Sequence, residues 1–166
     1  MPLAQLRRTD PALTADARDL RGALSELIRV YSFRDRDRIC CYDLSVTQSN
    51  ALDTVVERGP LTLNDLAAAL YIDKSTTSRV VTALEVKGYA TRRENPESRR
   101  SILIEATRAG RALQRRVERE LLEEDMRLLE DVEPEVRQAA ARLVGQLARV
   151  AAARVDTTGG TCCSID

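Results

Sequence analysis

The run from Leu61 to Arg93 constrains this chain more than any other, because it holds two short amphipathic segments separated by a tight polar turn. Thr62 followed three residues later by Asp65 is a helix-start signal: the hydroxyl caps an orphan backbone amide and the carboxylate faces the positive helix end. Leu63, Leu66, Ala67 and Leu70 then recur at helical spacing. Asp73 is placed to cap a second helix, whose front carries Lys74, Ser75, Thr76, Thr77 and Arg79 and whose apolar side carries Val80, Val81 and Leu84. Short polar and basic side chains at a helix front suit entry into a major groove.

Gly88 reads as the end of that second helix, and Tyr89 to Arg93 as a short strand before the turn-rich run Glu94, Asn95, Pro96, Glu97, Ser98. A returning strand is predicted from Arg100 to Ala106. A helix-turn-helix followed at once by a hairpin with a basic turn is a winged helix. Its wing carries Arg92, Arg93, Arg99 and Arg100, and arginine on a hairpin suits the narrow, negative minor groove. Charge agrees: Lys74 to Arg100 holds seven basic residues against three acidic ones, whereas the whole chain balances 26 against 26. Charge is segregated toward the expected DNA face.

The run from Ser45 to Gly110, with helical flanks on both sides, resembles the MarR-type winged-helix transcription regulators. The resemblance implies a homodimer whose terminal helices form the interface, repressing genes until a ligand or oxidant releases the DNA. It implies that the helix beginning near Lys74 reads the major groove through Ser75, Thr76, Thr77 and Arg79, and that Arg100 reaches the minor groove from the wing. One departure matters. The family pattern places an aspartate two residues before the wing arginine, and this chain has Ser98 there. A serine cannot form the charge-assisted bidentate pair that holds a guanidinium, so Glu97 is the candidate to compensate.

The flanks fit a dimerisation role on their own terms. Leu13, Ala17, Leu20, Leu24, Leu27 and Tyr31 share one helical stripe, and that helix is expected to end near the run from Arg34 to Arg38. Leu113, Val117, Leu121, Leu128 and Val132 mark a long helix broken before Pro134; Val136, Ala140, Leu143, Leu147 and Val150 mark a final one with the spacing of a helix seam. With no sheet to lie on, such stripes are buried by pairing two chains, and two-fold symmetry implies a palindromic operator in double-stranded DNA. The expected fold class is therefore mainly α. It comprises an N-terminal dimerisation helix over 12–38, a winged helix-turn-helix lobe with a small β-hairpin wing over 39–110, C-terminal dimerisation helices over 111–155, and a cysteine-bearing tail over 156–166.

A chain of 166 residues with 43% hydrophobic content can bury a core. It has no apolar run of membrane-span length and no signal-like apolar N-terminus, so the expected location is cytoplasmic with no membrane partner. Tryptophan is absent and phenylalanine occurs once, which argues against the stacking platforms of single-strand and RNA binders.

All four cysteines occur as vicinal pairs, Cys40-Cys41 and Cys162-Cys163. A reducing cytosol does not favour a disulfide framework, and adjacent cysteines bridge each other poorly. Close thiolates instead bind soft ions such as As(III), Hg(II), Cd(II) or Cu(I), or with four ligands Zn(II); mixed His/Cys zinc ligation is excluded, since histidine is absent. The first pair lies between the first helix and the helix that Ser45 is expected to cap, while the second lies in a Gly- and Thr-rich tail. Cys40, Cys41, Cys162 and Cys163 are thus candidate ligands for an inducing ion, with As(III) favoured over Hg(II) because its trigonal thiolate site calls for more than one pair. No cofactor is expected to be needed for folding.

Two alternatives stay open: oxidant sensing, favoured by Arg34, Arg36 and Arg38 upstream of the first pair, and a small phenolic ligand. A thiol-dependent reductase or metal-trafficking protein is the remote one, since the chain shows too little strand for an α/β redox fold. Without histidine or a glycine-rich phosphate loop, no catalytic constellation is legible and no enzyme activity is expected.

Overall fold

The computed structural model describes residues 10–158, with the side chains of Arg38, Cys40, Arg99, Arg100 and residues 155–158 outside the description. The elements run α1 (Pro11–Cys40), α2 (Val46–Arg58), β1 (Leu61–Thr62), α3 (Leu63–Leu70), α4 (Lys74–Val86), β2 (Ala90–Asn95), β3 (Ser98–Ala106), α5 (Arg108–Leu129) and α6 (Pro134–Thr158). The fold is mainly α with one small sheet, as the patterning predicts. Two compact units divide at residues 121 and 122, inside α5.

In the first unit, local chemistry sets each helix start. Ser45 accepts from the Gln48 amide while the Gln48 side chain accepts from the Ser45 amide, a complete capping box for α2. Thr62 accepts from the Asp65 amide at 3.2 Å and begins α3, and Asp73 accepts from the Thr76 amide at 2.8 Å and begins α4. Gly88, at φ +75°, turns the chain out of α4 in the left-handed conformation that glycine adopts without strain.

The sheet has order β1-β3-β2, all antiparallel. β1 pairs Leu61 with Ile104 and Thr62 with Leu103; at two residues it is too short to leave an alternating pattern, and the sequence reading does not contain it. Leu52, Leu66, Val81, Leu84 and Ile104 are fully buried and bring α2, α3, α4 and β3 around one core. Ile39 and Leu44 join that core from either side of the turn after α1.

The start of α5 closes the core. A Cβ at Gly110 would collide with the Tyr89 carbonyl and press on Leu52, so glycine is what lets the helix approach the root of the hairpin. One turn later Gln114 is buried and donates to Asp53 of α2 at 2.6 Å, and Val117 completes the packing at 2% exposure. α1 keeps Leu13, Leu20, Leu27, Ile28 and Phe33 exposed.

The second unit holds the end of α5 and α6. The α5–α6 turn is closed by the Val132 amide on the Leu129 carbonyl at 3.1 Å, and Pro134 opens α6, where its missing N–H costs nothing. α6 runs through Thr158, so it includes residues 156–158 of the stretch that the sequence assigns to the tail. Leu128, Val136, Leu143, Val144 and Val150 are exposed in the single chain.

Candidate nucleic-acid interface

α4 presents a rigid, polar front. The Asp73 carboxylate accepts from the Ser75 hydroxyl at 2.5 Å and the Thr76 hydroxyl at 2.6 Å, besides the Thr76 amide. Those hydroxyls, then the Thr76 amide, hold the Asp73 carboxyl well below the usual carboxylate range. Ser75 and Arg79 are exposed, and an Arg79 guanidinium N–H donates to the Thr76 hydroxyl at 3.2 Å, so the arginine stands over the first turn of the helix. Lys74 is exposed beside them.

Thr77 is a correction. The sequence reading puts it among the DNA contacts, yet it is fully buried and donates its hydroxyl to the Asp73 carbonyl at 2.9 Å. It is one position off the outward face, and its hydroxyl bonds back within the turn. Thr82, absent from the sequence reading, lies outward with Ser75 and Arg79. Its position, seven residues after Ser75 and three after Arg79, is a helical spacing that could have found it.

The wing is a hairpin in which Ala90 to Glu94 pair with Ala106 to Ile102, after which the register jumps so that Asn95 faces Ser98. The jump leaves the backbone of residues 99–101 outside the ladder, a bulge that re-aims whatever side chains it carries. Asn95 organises the tip: its Oδ1 accepts from the Glu97 amide at 3.0 Å and its amide donates to the Ser101 hydroxyl at 2.7 Å. The Ser101 hydroxyl in turn donates to the Ser98 carbonyl at 3.3 Å. This chain therefore shapes its tip through Asn95 and Ser101.

The four wing arginines separate into two kinds. Arg92 ion-pairs with Glu85 of α4 and donates to the Thr82 hydroxyl at 3.3 Å, so its guanidinium ties the hairpin to the helix. Arg93 pairs with Glu105 on the neighbouring strand at 3.0 Å. Arg99 and Arg100 occupy the bulge, their side chains outside the described set.

Of the four cysteines, Cys40 is the last residue of α1 and Cys41 opens the following turn. Cys41 is exposed, and its thiol donates to the Asp37 carbonyl at 3.4 Å. Upstream, Arg34 pairs with Asp35 at 2.9 Å, and Arg36 lies 4.0 Å from the Asp37 carboxylate. Cys162 and Cys163 lie outside the described residues. Among the described residues, no three Cys, Asp or Glu side chains come together as a metal-holding group. No described helix is long and apolar enough to cross a membrane.

Residues 42–101 match the model of the MarR family. An uncharacterized HTH-type transcriptional regulator of Mycobacterium leprae is 28% identical over 141 residues, covering 81% of this chain and 96% of the relative. An HTH-type transcriptional regulator of Mycobacterium tuberculosis is 29% identical over 138 residues, covering 80% and 94%. In fold, the chain superposes on a MarR family protein of Bacillus stearothermophilus with a TM-score of 0.75 at 21% identity, covering 82% of this chain and 95% of the other. Capped helix-turn-helix, bulged wing and helical flanks agree with the fold of that structure along four-fifths of the chain, and within it residues 42–101 are similar to the MarR family.

Proposed function

We propose that this chain is a MarR-type winged-helix transcriptional regulator, a homodimeric repressor of a palindromic operator, and that a soft metal or metalloid ion, As(III) before Hg(II), releases it through its vicinal cysteines. The observation that carries the DNA half is the outward front of α4, where Lys74, Ser75, Thr76 and Arg79 surround a capped helix N-terminus. That front enters the major groove, Arg99 and Arg100 approach the adjacent minor groove from the wing bulge, and Arg92 and Arg93 hold the wing in place. The exposed apolar stripes of α1, α5 and α6 are buried by a second copy of the chain.

The inducer half rests on the pairing of the four cysteines and on Cys41 lying exposed in the turn that leads into the DNA-binding lobe. As(III) takes three thiolates, so Cys40 and Cys41 need a third ligand, and Cys162 and Cys163 supply it from the same or the partner chain. Drawing the tail onto this turn shifts the spacing of the two recognition helices. A few ångströms is enough to prevent simultaneous docking in successive grooves.

The test is a gel shift of the reduced protein on its own upstream DNA, titrated in parallel with As(III), Hg(II) and peroxide, beside a variant with all four cysteines changed to serine. Release by As(III) that is lost in the variant, and in Cys162→Ser/Cys163→Ser alone, is the expected outcome. Release by peroxide only would make the cysteines an oxidant sensor, and release by none of the three would move induction to an organic ligand.

A further inference from the structure

The turn after α1 is held from two sides by single side chains. Tyr42 donates its hydroxyl to Glu120 of α5, with the Arg116 guanidinium 5.1 Å from its ring. Asp43 adopts the left-handed conformation at φ +56°, which a residue with a side chain rarely does without support. The support comes from Lys87, 44 residues away at the C-cap of α4. Its ammonium donates to the Asp43 carbonyl, lies 3.3 Å from the Asp43 carboxylate, and donates at 3.2 Å to the Gln48 side chain, which itself completes the α2 cap. The ammonium thus has two hydrogen-bond acceptors and one carboxylate on the 43–48 segment. Only 23% of the Lys87 side chain is exposed.

We propose that Lys87 is a positioning residue for DNA reading: it latches the C-terminal end of the recognition helix to the Cys41–Asp43 turn, so that helix and turn change state together. The inference rests on α4 being the DNA-reading helix but not on the identity of any inducer. A shift of Asp43 breaks the latch and frees the end of α4. Conversely, DNA that fixes α4 fixes the turn, because a coupling free energy acts equally in both directions. The sequence conceals this link, since Lys87 reads as an ordinary basic residue at a helix end and Asp43 as an ordinary turn residue.

Reciprocity supplies a test that needs no metal. In a protein carrying Cys41 as its single cysteine (C40S, C162S, C163S), the rate of Cys41 alkylation by iodoacetamide is measured with and without saturating DNA from its own upstream region. An unrelated duplex serves as the control. By fixing the conformation of the turn that carries Cys41, the specific DNA is expected to change the rate by about twofold or more, and Lys87→Met to abolish most of that change while weakening DNA binding. Circular dichroism checks that the fold persists, and Lys87→Arg, which keeps the charge and reach, is expected to restore part of the response. Asp43→Gly, whose backbone φ glycine accepts, removes the carboxylate partner and is expected to weaken DNA binding non-additively with Lys87→Met.

A rate unchanged by DNA, or changed equally in the parent and Lys87→Met proteins, overturns the latch. Additive effects of the two substitutions on DNA affinity do so too. Failure of the parent to bind its own upstream DNA would instead remove the reading role of α4.

Discussion

Arg79 and Thr77 are two residues apart on one short helix and have opposite fates. Arg79 is exposed and Thr77 fully buried, because two residues of helix turn a side chain most of the way to the other face. Arg79→Ala is expected to weaken specific DNA binding by about 1–3 kcal/mol without altering the fold. Thr77→Val, nearly isosteric, loses one hydroxyl donated within the helix turn and is expected to leave DNA affinity unchanged; fluorescence anisotropy on the operator measures both. A loss of affinity in Thr77→Val with an unchanged melting temperature would return Thr77 to the DNA face.

At the scale of elements, contacts between helices and hairpin decide which charges are paired within the protein. Arg92 is committed to Glu85 of α4, whereas Arg100 sits in the backbone bulge. Both Arg92→Ala and Arg100→Ala are expected to lower affinity, but only Arg100→Ala should reduce the slope of log affinity against log salt, by about 1. Equal slopes would make Arg92 a phosphate contact as well. The α2–α5 contact gives a pH prediction. Burial, then the neighbouring Glu57, raises the Asp53 carboxyl above its usual value, against the opposing hydrogen bond from Gln114. A carboxyl with a raised folded-state value stabilises the fold most below its unfolded value, and that contribution is lost as pH rises through the folded value. Asp53→Asn, which keeps an acceptor for Gln114, is therefore expected to raise Tm at pH 7 and to lose that advantage as pH falls toward the usual carboxylate range, as followed by thermal melts. The helices and their caps were legible because Ser45, Thr62 and Asp73 each act on an amide three residues on, a signal wholly local in sequence. β1, the Arg92–Glu85 pair and the Lys87 latch were not, since each depends on which distant backbone arrives beside it. Thr77 was misread for the converse reason: polarity marked it as surface, while its angular position, fixed by the core around Val81 and Leu84, put it inside.

For the whole molecule, the exposed leucines of α1 and α6 carry the expectation of a dimer. Leu143→Glu places a charge on a face that a second copy is proposed to cover, at a residue 54% exposed in the single chain. It is expected to give a folded monomer by light scattering and to weaken operator binding by more than tenfold, because two half-sites no longer act together. A dimer that persists would move the interface off this stripe. The unit boundary at residues 121 and 122 has a different consequence, because it falls within the continuous helix α5 and not in a linker. A hybrid regulator made by exchanging DNA-reading lobes between relatives has no loop at this border in which to hide a length mismatch. Each residue gained or lost there turns the remainder of α5 by about 100°. Recombination across α5 is therefore confined to joints that conserve helical phase, and lineages are expected to change operators by substitution on α4 and the wing more readily than by shuffling.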